Sequence, residues 1–251
     1  MQRKGANSPQ KVPADILCAL NKGTLETASL SEALAVDFGQ LLQFIAPSIP
    51  TSALPSLQAG TGVVQRMKNA AHIALAHGIK WQEWANHPAD TVRGWAAYML
   101  AALPNIEWGE RLHMIQPLAA DQHFGVREWA WLALRPHFIA ALPEALTILV
   151  PWTHHEDANI RRFASEISRP RGVWCTHIPL LKQKPWLALP LLEPLYTDSS
   201  RYVQNSVANW LNDAGKHQPE WVENLCTGWQ EKSNHSATQY ICRRALRHQL
   251  K

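Results

Sequence analysis

Apolar residues recur along this chain at helical spacing, cut by prolines and short polar loops, and no stretch alternates as a half-buried strand would. Four segments share one form: HPADTVRGWAAYML, DQHFGVREWAWLAL, HEDANIRRFASEIS and DSSRYVQNSVANWL. Each is a polar turn, a β-branched residue and a helix. Aligned on Val92, Val126, Ile160 and Val203, they are spaced by 34, 34 and 43 residues, and a degenerate fifth copy starts near Thr238. An all-helical period of this length predicts a right-handed α-solenoid of HEAT-like repeats. The longer third interval holds an insertion, Arg169 to Pro185. Upstream, Leu30–Ala46 and Val64–Ile79 supply further helices around a Pro-rich loop. Residues 1–12 read as a disordered tail and 13–251 as one helical domain.

Counted from each β-branched residue, positions 0, 3, 4 and 7 form an apolar stripe. It comprises Val92, Trp95, Ala96 and Met99; Val126, Trp129, Ala130 and Ala133; Ile160, Phe163, Ala164 and Ile167. Positions 2 and 6 lie opposite: Gly94 and Tyr98, Glu128 and Leu132, Arg162 and Glu166, Asn205 and Asn209, with Asp213 one turn further. In a solenoid this row is expected to line a concave groove. Arg162 and Glu166, four apart, read equally as a surface ion pair. Glu128, Arg162, Glu166, Asn209 and Asp213 together on one row point to a site, because grouped carboxylates repel and raise one another's pKa.

Composition narrows the class. At 46% apolar the chain is globular. Residues 1–159 hold 11 Lys/Arg against 13 Asp/Glu, whereas 160–251 hold 13 against 7. The basic C-terminal part suits an anionic partner, nucleic acid first, or is a solubility charge only. Cys18, Cys175, Cys226 and Cys242 form no CxxC, which argues against a zinc site and a disulfide framework. His154-His155-Glu156-Asp157 has the wrong spacing for a metal on one helical face. No apolar run is long enough to span a membrane and the N-terminus lacks a signal core, so a reducing cytoplasm is expected.

Two blocks carry a resemblance. RRFASEISRPRGVW and YVQNSVANWLNDAGKHQPEWV resemble the AlkC family of bacterial DNA alkylation-repair glycosylases, relatives of AlkD proteins. LNKGTLETASLSEALAVDFGQLL is similar to the family's opening, so the likeness covers most of the chain. It implies a HEAT-like fold around duplex DNA and monofunctional removal of N-alkylated, typically cationic bases such as 3-methyladenine and methylated cytosine. It carries active-site roles onto Arg162, Glu166, Trp174 and Asp213, and less firmly onto Glu128. Gln204 stands where the family pattern has Arg, and an immunoglobulin-like C-terminal domain found in some members is expected to be absent. Those departures touch DNA affinity more than chemistry.

The chemistry asks for such residues. A base alkylated at a ring nitrogen is already cationic and leaves without a strong acid. Carboxylates beside the sugar stabilise the developing oxocarbenium-like charge and orient water. Trp174 is either a packed loop residue or a π face for a cationic base. Arg169, Arg171, Lys182 and Lys184 in the insertion, Asn205 and Asn209, and the basic last helix with Arg243, Arg244 and Arg247 are candidate DNA contacts; for the insertion a solvated loop is the rival reading. The expectation is a monomer acting on duplex DNA with no metal or cofactor. The rivals are a catalytically silent HEAT-repeat DNA-binding protein and a protein-binding scaffold.

Overall fold

The computed structural model describes residues 3–58 and 60–247. Its secondary structure is helical throughout, with no β-strand among the described residues, as the periodicity predicts. No helix there is long and apolar enough to cross a membrane.

Two compact units partition the chain, residues 1–106 with 121–133, and residues 107–120 with 134–251. The first contains α1 (Ala14–Asn21), α2 (Leu30–Ala35), α3 (Phe38–Ile45), α4 (Val63–Ala76), α5 (Trp81–Trp84), α6 (Asp90–Ala102) and the start of α8 (Phe124–Ala140). The second contains α7 (Trp108–Ala119), the end of α8, α9 (Glu144–Leu149), α10 (Ala158–Ile167), α11 (Pro179–Gln183), α12 (Leu189–Leu192), α13 (Arg201–Gly215), α14 (Pro219–Lys232) and α15 (Ser236–Ala245). The stretch 30–46 is two helices rather than one, because Asp37 caps α3 by accepting from Gln40 N at 3.0 Å. The Pro-rich stretch after it carries a 3-10 helix at Thr51–Leu57. Residues 3–12, read as a tail, are tied to α2: Arg3 pairs with Glu32 at 2.6 Å and Ala6 N donates to the same carboxylate.

The apolar stripe is buried at every position named above. The polar turns that precede the helices explain why the motif repeats. In the first unit Arg93 Nε reaches forward to Asp121 at 2.8 Å, in the turn of the following copy, while its Nη1 binds His87 O and Pro88 O. In the second unit Arg161 does the same with Asp198 at 2.6 Å and with His155 O and Glu156 O. Each arginine thus ties one turn to the next copy through charge-assisted bonds.

The row at positions 2 and 6 departs from the open groove expected of it. Gly94, Tyr98, Leu132, Arg162, Glu166 and Asp213 are buried. Within the first unit α6 meets α8 along this row, and within the second α10 meets α13. A Cβ on Gly94 would lie 2.5 Å from Trp129 Cδ1 and 2.8 Å from Met67 Cε. Gly94→Ala should therefore cost about 1–3 kcal/mol through overpacking. A thermal unfolding midpoint equal to that of the parent would contradict this close approach.

Candidate active site

In the second unit α10 lies against α13, and the polar row between them is a connected network. Its centre is Arg169, just past the end of α10. Arg169 Nη1 donates to Glu166 Oε1 at 2.5 Å, and its Nη2 and Nε donate to Asp213 Oδ2 at 2.7 and 3.0 Å. One guanidinium therefore holds two carboxylates from two helices. Ser206 on α13 donates to Glu166 Oε2 at 2.6 Å and accepts from Ser165 Oγ at 2.8 Å. Arg162 Nη2 approaches Glu166 Oε2 at 3.5 Å while its guanidinium lies 4.4 Å over the Tyr202 ring. Lys216 Nζ sits 3.3 Å from Asp213 Oδ1.

The electrostatics follow from that bridge. Burial pushes the Glu166 carboxyl up, but the charges of Arg162 and Arg169 and the Ser206 hydroxyl outweigh it, so its pKa lies below the ordinary value. At Glu166 the elevation expected of a carboxylate near another gives way because a cation sits between them. Burial likewise works against the Arg169 charge, yet Glu166 and Asp213 raise its pKa well above the usual arginine value. Glu166 is 4% exposed and anionic at neutral pH.

A carboxyl whose folded pKa is depressed stabilises the fold above its unfolded pKa, and that contribution is lost as pH falls through the folded value. The stability gap between the parent and Glu166→Gln should be widest above about pH 4.5 and narrow in more acidic solution. Urea unfolding of both proteins across this range measures it; a gap independent of pH would contradict it.

Beyond Arg169 the chain enters the insertion. Trp174 is 46% exposed and its backbone sits at φ 62°, a left-handed conformation that costs a tryptophan energy. Arg135, on the end of α8, holds this loop. It is 1% exposed and spends its guanidinium on three main-chain carbonyls: Ile167 at 2.6 Å, Arg169 at 2.7 Å and Thr176 at 3.1 Å. The Ile178 N–H closes the loop base on Pro170 O at 3.0 Å. Arg135 was not among the residues singled out from sequence. Its signal was an arginine inside the apolar run WLALRPHF, where a buried charge needs partners.

The other expected contacts divide. Arg171, Lys182 and Lys184 lie in the insertion, with Lys182 Nζ 2.8 Å from His177 Nδ1. Exposed Lys184 and partly exposed Lys182 and Arg171 suit surface contacts. Arg169 differs: the carboxylates occupy it. Asn205 and Asn209 are engaged by the last helix region, Asn205 Oδ1 accepting from Tyr240 Oη at 2.7 Å and Asn209 Oδ1 from Arg247 Nη2 at 3.2 Å. Arg243 and Arg244 stand within 6 Å of the Tyr240 ring centre. Gln204, expected to bear on DNA affinity, is buried and donates to Asp198 O at 2.7 Å. It keeps the turn contact that Arg93 and Arg161 make in their copies. Glu128 falls on the part of α8 that belongs to the first unit, where its Oε2 accepts from Trp131 Nε1 at 2.8 Å.

The family model described as DNA alkylation repair enzyme matches residues 125–248, the stretch that contains this network. Residues 125–248 belong to the DNA alkylation repair enzyme family. The chain is also 36% identical over 139 residues to YhaZ of Bacillus subtilis (strain 168), which is 55% of this chain and 38% of that protein. Among solved structures it is similar to the alkylpurine DNA glycosylase AlkC of Pseudomonas fluorescens, bound to DNA containing an abasic site analog, with a TM-score of 0.66 and 25% identity. That match covers 85% of this chain and 61% of AlkC. AlkD2 from Streptococcus mutans matches in fold, with a TM-score of 0.62 at 20% identity over 80% of this chain and 96% of AlkD2. The chain thus spans less than two thirds of the length of YhaZ and of AlkC.

Proposed function

We propose that this protein is a monofunctional DNA glycosylase of the DNA alkylation repair enzyme family. It hydrolyses the N-glycosidic bond of cationic N-alkylated bases in duplex DNA, with 3-methyladenine as the type substrate and methylated cytosine as the second class. The observation that carries the reading is the Glu166–Arg169–Asp213 bridge at the start of the loop that presents Trp174. The similarity to AlkC, a glycosylase bound to abasic-site DNA, supports DNA as the partner.

In this reading the alkylated base leaves as a neutral molecule, and positive charge develops on the deoxyribose. Glu166 and Asp213 stabilise that charge and orient the attacking water. Arg169 is a positioning group: it keeps two mutually repelling carboxylates close. Trp174 places its ring against the cationic base or its sugar. Arg171, Lys182, Lys184, Arg243, Arg244 and Arg247 contact phosphates, so affinity should fall steeply with salt. A protein built only to hold phosphates gains nothing from burying two carboxylates in its basic half.

The test is release of bases. Purified protein incubated with methylated duplex DNA should liberate 3-methyladenine and leave abasic sites, read by chromatography of the soluble fraction. Salt-dependent DNA binding without any released base would favour a silent DNA-binding repeat protein. Neither binding nor release would favour a protein-binding scaffold.

A further inference from the structure

The first unit contains a buried arginine whose charge is handled unlike that of its counterparts. On α4 the inward stripe is Val63, Met67, Ala70, Ala71 and Ala74, all buried, and Arg66 occupies the same face. Arg66 is 9% exposed. A guanidinium at such a position ordinarily finds acceptors, since burying a charge without them is costly. Arg93, Arg135 and Arg161 show the rule, each bonded to carboxylates or carbonyls at 3.2 Å or less. Arg66 instead lies 4.7 Å over the face of Phe38. Its Nε has no hydrogen-bond acceptor, and no carboxylate pairs with it among the described residues. Asp37 is near enough to favour the charge, but its two oxygens accept from Gln40 N and Gln40 Nε2.

This guanidinium lines a cavity of about 480 Å³. Val36, Phe38, Leu54 and Leu57 supply apolar wall, and Gln40 and Gln58 supply polar rim. Asp37 also lines the cavity, so this open space pairs apolar wall with one guanidinium and one carboxylate, and its size is that of small-molecule sites. An apolar body can lie against the partly exposed Leu34 and Leu54 while an anionic group meets the terminal nitrogens of Arg66.

We propose that the cavity over Arg66 is a binding site for a small organic anion, a carboxylate or phosphate monoester carried on an apolar body. The anion supplies acceptors to Arg66, and the apolar body covers the partly exposed Leu34, Ala35 and Leu54. The site is assigned from the first unit alone and is independent of the glycosylase reading.

The experiment is calorimetric titration of the full chain, in a buffer without competing anions, with phenyl phosphate, benzoate, inorganic phosphate and neutral benzamide. Phenyl phosphate or benzoate should bind saturably with one site, and inorganic phosphate and benzamide should bind about tenfold more weakly. Which of the first two is tighter tells a phosphate site from a carboxylate site. Arg66→Gln should weaken binding by about tenfold or more. Leu54→Trp, which fills the cavity and keeps the arginine, should do the same if Arg66→Gln does not fold. No saturable binding to the parent chain overturns the proposal. So does equal binding of benzamide and benzoate, or binding that survives filling of the cavity.

Discussion

Glu166→Gln should lower the rate of 3-methyladenine release by about 10²–10³-fold, with Asp213→Asn close behind. Each amide keeps the size and one acceptor oxygen of the carboxylate it replaces. The amide oxygen at position 166 can still accept from Arg169 Nη1 or Ser206 Oγ, which lie at 2.5 and 2.6 Å from the Glu166 carboxylate. What is lost is the negative charge, in a buried setting where charge acts strongly on a developing cation. The two carboxylates share one guanidinium and act as a unit, so the double variant should be little slower than the worse single one. Affinity for duplex DNA with an abasic-site analog should change little, because removing a negative charge does not weaken attraction to phosphates. Single-turnover release and equilibrium binding on the same preparations separate the two effects. Parent-like release by both variants would remove these residues from the chemistry.

Arg135→Met should abolish most activity without touching a single group that faces substrate. The side chain binds Ile167, Arg169 and Thr176 carbonyls and so sets both ends of the loop that carries Arg169 and Trp174. Methionine fills part of the volume but leaves three carbonyl acceptors without their partner, that of Ile167 buried. The expected destabilisation is about 3–4 kcal/mol, given that bonds to charged groups contribute about 1.5–3 kcal/mol each and some carbonyls recover water. With the loop released, Trp174 has no reason to hold its left-handed backbone at φ 62°. The signature is a fall in the single-turnover rate at a temperature well below the variant's unfolding midpoint. Binding to undamaged DNA should persist, since Arg243 and Arg244 lie on α15. Parent-like turnover in a destabilised but folded variant would reduce Arg135 to a stability residue.

Much of this protein is legible in one dimension. Helical period, polar turns and the intervals between Val92, Val126, Ile160 and Val203 predict an all-helical repeat fold, and the stripe they define is buried throughout. That works because a helix converts spacing directly into facing: residues three and four apart share a side whatever the helix packs against. By the same logic Arg162, Glu166 and Asp213 could be placed on one polar row.

What faces that row is not a local property. Whether positions 2 and 6 meet solvent or another helix depends on the distance between neighbouring helices, so Gly94, Tyr98 and Glu166 read as groove-lining and are packed. Pairing depends on it too. Arg162 is the natural partner of Glu166 by i,i+4 spacing, yet the shorter bonds come from Arg169 at the helix end and from Ser206 forty residues away. Gln204 could be read as a missing DNA contact until its amide was placed on Asp198 O. Arg135 and Arg66 mark the limit most clearly. Both are arginines on apolar helix faces, and the sequence alone determined only that each must be compensated. The tertiary structure decided that Arg135 finds three carbonyls of a distant loop and that Arg66 finds a ring and an open cavity. A buried charge is satisfied by whatever the fold brings within about 3 Å, and chain order does not encode that distance.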